Sequence, residues 1–345
     1  MTRSPVRLIL HAGCGKTGTT SIQATLAQAR PALEAQGVWY LGLTLEHAPV
    51  VHHAWQQFGG PPRLNALPHA QAVDEIHEIL SLTVDAALAR GIHTLIWSSE
   101  SLIDRPEKAI AAIQRLDPTQ VDRHVLIYVR RHDAWAVSAY VQWGIRHKTY
   151  RGRLQHFALW VERRGGVRFH QKIQRFAEAF PDKLTLRNFD HAHNAVADFL
   201  AVCRIDASGI TELRGNVTAD DTELYLRALF NDQCHEPQFP MAFNKVIARA
   251  IRHDSSPDAL LHHLLGADPL PAGHEAQVQA DRLRVNRWLA ASHSPPLAET
   301  GTTPAPPRVD RQRLLLALAA LALDQGVRIQ QLEARLAVPA CDPAA

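Results

Sequence analysis

The residues best equipped for chemistry lie in the stretch HAGCGKTGTTSIQ, His11 to Gln23, directly after the apolar run Val6 to Leu10. Gly13, Gly15 and Gly18, one lysine and three threonines crowd into positions 13–20. Glycines let a backbone approach a ligand closely, Lys16 supplies positive charge, and threonine hydroxyls supply hydrogen bonds, so the stretch suits a phosphate or sulfate group. A nucleotide ATPase loop reads G-x-x-x-x-G-K-[ST]. Gly13 to Gly18 has that glycine spacing but is followed by Thr19-Thr20, and Lys16 lies two residues before the last glycine. The alternative is a tight turn that needs glycines and binds nothing.

A second stretch, YVRRHDAWAVSAY, places Arg130 at the end of an apolar run and Ser138 eight residues later, about one turn into the next helix. An Arg at a strand tip and a Ser on the helix above it can grip one anion together. The alternative pairs Arg130 with Asp133 and leaves Ser138 solvated. With the loop at 13–20, two separated anion sites would describe a nucleotide that carries two phosphate groups. A third stretch, HTLIWSSES, ends an apolar run at Glu100, a carboxylate suited to general-base work.

These residues need elements to hold them. Val6–Leu10, then the glycine loop, then Ile22, Leu26, Ala29 and Leu33 at helical spacing, read as strand, loop and amphipathic helix. That helix offers its first-turn N–H groups and positive dipole end to the loop. HTLIWSSES (93–101), HVLIYVRRHD (124–133) and the weaker KLTLRNFD (183–190) are further apolar runs, the last preceded by a helical face of Ile173, Phe176, Ala177 and Phe180. Non-alternating runs separated by helices predict a parallel sheet covered on both faces, with the ligand outside the C-terminal strand ends. Loop 13–20, Glu100 and Arg130 all fall on those ends. The expected fold is therefore α/β.

The chain has 345 residues, 46% apolar and 21% charged, with a net charge of +3, which is too small to argue for nucleic acid. Cys14, Cys203, Cys234 and Cys341 are scattered, without a C-x-x-C pair, and the 20 histidines form no H-E-x-x-H pattern. No metal site is expected. The opening residues are too short an apolar stretch for a signal peptide, and no run of 18 apolar residues would span a membrane. The expectation is a cytoplasmic protein.

Residues 43–69 read as an irregular insertion or a packed connector. Residues 216–293 read as mostly helical, with Leu224, Leu229 and Phe230 in the core. Within a domain of residues 1–293 they form its helical C-terminal part. A Pro-rich linker at 294–310 and a helix at 311–338 follow. Leu314, Leu318, Leu321 and Leu332 to Leu336 give that helix apolar surface, for packing onto the domain, covering the acceptor site, or pairing as a homo-dimer.

Together, these motifs resemble the sulfotransferases that use 3′-phosphoadenosine 5′-phosphosulfate (PAPS). The family's 5′-phosphosulfate loop, K-[ST]-G-T-[ST], corresponds to Lys16-Thr17-Gly18-Thr19-Thr20, and its 3′-phosphate motif, an Arg with a Ser eight residues on, to Arg130 and Ser138. The bacterial branch is similar in having HAGCGKTGTTSIQ, GVWYLG, SSES and VLIYVRRHDAWAVSAYVQW in this order. The likeness covers residues 6–205 well and 216–293 weakly. It implies a P-loop-type parallel sheet flanked by helices, PAPS as donor, no metal, and an acceptor hydroxyl or amine, possibly on a saccharide. Lys16 would serve catalysis and Glu100 would be the base, kept ionised by Lys16, with His11, His47 and His52 as rivals. Gly15 stands where the family often has a bulkier residue, and no third basic motif is recognisable. A P-loop nucleotide kinase and an inactive nucleotide-binding scaffold remain the alternative functions.

Overall fold

The computed structural model describes residues 4–57, 60–213, 221–240, 270, 273–299 and single positions between 312 and 332. The apolar runs become strands β1 (Val6–Ala12), β3 (Thr94–Ser99), β4 (Val121–Val129) and β5 (Leu184–Asn188), joined by β2 (Val38–Gly42) within GVWYLG. All pair in parallel, in the order β2-β3-β1-β4-β5. The fold is α/β, a parallel sheet flanked by helices, as expected. β1 is central: Leu10 lies opposite Trp97 of β3 on one side and Val125 of β4 on the other. Its C-terminal loop is thus flanked by the segments that follow β3 and β4, where Glu100 and Arg130 begin.

The helices are α1 (Thr19–Gln28), α2 (Arg30–Ala35), α3 (Gly60–Ala66), α4 (His69–Arg90), α5 (Ser101–Asp104), α6 (Glu107–Gln114), α7 (His132–Tyr140), α8 (Phe157–Arg163), α9 (His170–Ala179), α10 (Ala195–Cys203), α11 (Asp221–Gln233) and α12 (Glu275–Ala291). Strand side chains alternate between faces. Ile9, Ile96, Leu126 and Tyr128 meet Ile22 and Leu26 of α1 and Val196, Phe199 and Leu200 of α10. Leu8, Leu10, Leu95 and Trp97 fill the other face, where α4 and α5 lie against β1. Covering both faces explains why the strand sequences run apolar without a polar alternation.

Two compact units divide the chain. Met1–Trp135, Gly165–Val217 and Gly273–Gly301 form the first, which holds the sheet. The second comprises Ala136–Arg164, Thr218–Ala272 and Thr302–Ala345. In its described part, fully buried Lys148 donates to the backbone carbonyls of Asn231 and Cys234 at the C-terminus of α11, where a cation meets the negative end of the helix dipole.

Several local expectations change. Leu224 is buried, but Leu229 is 38% exposed and Leu226 and Ala228 fill the core beside it. Residues 43–57 are anchored by buried Trp55 and Gln56, whose amide donates to the carbonyls of Leu45 (3.1 Å) and Val50 (3.0 Å). The first residues of the Pro-rich segment pack down: Leu297 is buried and exchanges hydrogen bonds with the Asn286 side chain of α12. Residues 214–220, 241–269 and most of 300–345, Leu321 and Leu336 included, lie outside the described residues; the described positions from Gln312 to Leu332 are helical.

Candidate anion-binding site at the sheet edge

The loop from Gly13 to Gly18 leaves the central strand and enters α1. Gly15 (φ 57°) and Lys16 (φ 57°) are consecutive left-handed residues, and Gly18 (φ 78°) is a third. Left-handed backbone is unfavourable for a side chain such as lysine, so the surrounding contacts must impose it. One such contact comes from Trp135 on α7, whose indole N–H donates to the carbonyls of Cys14 (2.9 Å) and Gly15 (3.2 Å). Gly18 has a steric reason as well: a Cβ there would lie 2.7 Å from Ala195 Cβ of α10 and 3.1 Å from the Phe189 ring.

α1 starts at this loop without a side-chain cap and without an acidic residue in its first turn. Its positive dipole end is therefore uncompensated by any carboxylate of its own. Thr17 and Thr19 are buried, and neither hydroxyl has a hydrogen-bond partner. A buried orphan hydroxyl costs about 1–3 kcal/mol, so two beside a helix N-terminus suit a ligand rich in acceptors. Cys14 is no nucleophile, since burial pushes its thiol up to about 12.

Glu100 follows β3 as expected and makes no side-chain cap to α5. Burial pushes its carboxyl above the ordinary range; the Thr19 hydroxyl and the Lys16 charge pull it down, and Asp104 adds to the rise. The Thr19 hydroxyl acts on Glu100 by proximity, outside hydrogen-bonding geometry. Desolvation is the largest of these effects and outweighs the pull of Lys16, so the net direction is upward, toward the range of a working base.

The rival histidines separate from one another. His11 is fully buried beneath the loop, with Nδ1 2.8 Å from Ser98 Oγ and its ring against Tyr128 and Phe199. Burial pushes its pKa down to about 3, so it is a neutral core residue. His47 lies beside Tyr40 in a shallow pocket with Arg30 and Arg90, its pKa lowered by burial and by Arg30. His52 is exposed, 3.9 Å from Glu78.

Arg130 begins the segment after β4. Its Nε donates to Asp190 Oδ1 at 3.2 Å, and its guanidinium lies 5.5 Å from the centre of the Phe189 ring. Asp133 pairs instead with Arg131 at 2.6 Å, so the alternative of an Arg130–Asp133 bridge is not what forms. The Phe189 ring lies beside both Gly18 and Arg130 and so links the glycine loop to Arg130. Ser138 lies half-buried on α7, in the second unit.

Sequence reading missed the turn Asn188–Phe189–Asp190. Its signal was present, because KLTLRNFD ends an apolar run as the segment before Arg130 does, and the same strand-end logic applies. Among the described residues no cluster of His, Cys, Asp and Glu could hold a metal, and no helix is long and apolar enough to cross a membrane.

No known family model matches the chain, and no curated protein matches it. Among solved structures, a sulfotransferase domain from the curacin biosynthetic pathway is similar over 86% of this chain and 100% of its own, at 10% identity and a TM-score of 0.33. A structure from the PezAT chromosomal toxin–antitoxin system of Streptococcus pneumoniae is similar over 66% of this chain and 85% of its own, at 12% identity and a TM-score of 0.24. Likeness at this level carries no weight for the site, which stands on its own residues.

Proposed function

We propose that the chain is a sulfotransferase that takes PAPS as donor and passes its sulfuryl group to a hydroxyl or amine. The observation that carries this is the loop itself: consecutive left-handed Gly15 and Lys16, the buried unpartnered hydroxyls of Thr17 and Thr19, and an α1 first turn with no acidic residue of its own. The loop's residue order, with lysine inside it, supports sulfuryl rather than γ-phosphoryl transfer.

Backbone N–H groups from Lys16 to Thr20, with the hydroxyls of Thr17, Thr19 and Thr20, would hold the 5′-phosphate. Arg130, aided by Ser138, would hold the 3′-phosphate. When bound, the donor supplies the sulfuryl group and an adenosine bisphosphate leaving group. Lys16 places positive charge where negative charge grows as the bond breaks; removing such a group costs ~10²–10³ in rate by analogy with oxyanion-hole donors. Glu100 receives the acceptor's proton.

The test is a thermal melt with adenosine 3′,5′-bisphosphate. A ligand at 100 times its Kd adds about 2.7 kcal/mol of stability, so a clear upward shift is expected, with none from ATP. A shift from ATP alone would favour a kinase; binding without turnover of labelled PAPS against a panel of saccharide and phenolic acceptors would favour an inactive scaffold.

A further inference from the structure

We infer that Asp190 is a positioning residue that presents Arg130 to the 3′-phosphate. This rests on the nucleotide reading above and adds to it a residue that none of the motifs contains. Asp190 Oδ2 accepts the backbone N–H of Arg131 at 2.6 Å while Oδ1 accepts Arg130 Nε at 3.2 Å. One carboxylate thus holds both the chain beside Arg130 and its side chain. The Phe189 ring supports the guanidinium from a second direction. The contact is with Nε, on the flank of the guanidinium, so the Nη1–Nη2 edge faces away from the carboxylate. That edge is a two-donor fork of the kind that grips phosphate.

Asp190 is itself fixed. Its backbone N–H donates to Asn188 Oδ1 at 3.0 Å. Buried Asn188 donates from its backbone N–H to Ser294 Oγ at 3.0 Å, and from Nδ2 to the carbonyls of Pro295 and Pro296. Both partners of the Arg130–Asp190 pair are 29% exposed, and surface ion pairs contribute little to stability. What the pair does supply is direction. An Arg held in its binding geometry loses less side-chain entropy on gripping a ligand.

The opposite effect would follow if Asp190 competed with phosphate for Arg130, so the sign of one measurement decides. Calorimetric titration would compare adenosine 3′,5′-bisphosphate with adenosine 5′-phosphosulfate, which lacks the 3′-phosphate. Asp190→Asn keeps an acceptor for the Arg131 N–H, so the turn has what it needs to form, and Asp190→Ala removes both contacts. Both variants are expected to weaken bisphosphate binding about tenfold and to leave phosphosulfate binding within about twofold. In an Arg130→Ala background, Asp190→Asn should add no further loss, because its effect runs through Arg130. Equal losses for the two ligands, unchanged bisphosphate binding, or tighter binding would each overturn the role of Asp190 alone. Failure of the wild-type chain to bind either ligand would overturn the nucleotide reading, and this inference with it.

Discussion

The indole N–H of Trp135 is shared between the carbonyls of Cys14 and Gly15, at 2.9 and 3.2 Å, immediately before the left-handed pair Gly15–Lys16. With those carbonyls held, the peptide planes of the loop are restrained in orientation. Trp135→Phe keeps the ring against Phe169 but removes both hydrogen bonds. At about 1 kcal/mol each, the two bonds together correspond to an expected loss in affinity of about thirtyfold, for bisphosphate and for phosphosulfate alike, because in the proposed function the loop holds the 5′ side of both. A loss confined to bisphosphate in calorimetry would show that Trp135 acts elsewhere.

Glycine substitutions should separate backbone strain from steric contact. Gly91, the left-handed C-cap of α4, has open space around a Cβ, so Gly91→Ala carries only the backbone penalty of roughly 1–2 kcal/mol. Gly18→Ala carries that penalty plus a 2.7 Å contact with Ala195 Cβ. Urea melts should show the larger destabilisation for Gly18→Ala, and only that variant should lose bisphosphate binding.

Glu100→Gln should lower kcat by ~10²–10⁴-fold while leaving bisphosphate affinity nearly constant. It should also melt higher than wild type at neutral pH. Burial raises the Glu100 pKa, so ionising it works against the folded state; that penalty is absent below the ordinary carboxylate range and complete above the raised value. The gain in Tm should therefore vanish near pH 4. Retention of more than about a third of wild-type kcat would place the base elsewhere.

His11 gives acid stability the opposite sign from Glu100. Its folded pKa of about 3 lies below the ordinary imidazole value of 6.5, so its contribution is complete above 6.5 and is lost as pH falls toward 3. His11→Phe, with a ring to pack against Tyr128 and Phe199, should show a flatter loss of stability in urea between pH 6.5 and 4 than wild type. Equal slopes would mean that His11 stays solvated.

On the C-terminal helix, Leu315, Leu318, Ile329 and Leu332 are exposed, two pairs of i,i+3 residues whose positions fall on one heptad seam. Deleting residues 300–345 spares the packed segment through Glu299. Light scattering should then give half the mass, with bisphosphate affinity unchanged. An unchanged mass with a lower Tm would mean that the helix packs on its own chain.

Much of this architecture was legible in the sequence. Val125 to Val129 and Leu95 to Trp97 read as buried strands because they are covered on both faces, and the loops after them then had to meet near the loop after β1. The edge strand β2 was harder to see, since VWYLG is short and half-exposed Trp39 interrupts its apolar character. The burial of Glu100 was not legible, because spacing shows a neighbouring lysine and does not show desolvation. Phe189 and Asp190 escaped notice because their roles depend on contacts with Gly18 and Arg130, 171 and 60 residues away respectively.

Asn188 reaches Ser294 across 106 residues of chain. Domains assemble from the N-terminus as the ribosome delivers them, so β1, its loop and α1 emerge early, whereas the clasp behind Asp190 closes only after Ser294 to Pro296 have left the exit tunnel. A nascent chain halted before that point would hold the glycine loop and Arg130 without the backing that aims Arg130. The backing of Asp190 is thus the last part of this strand end to be completed during synthesis.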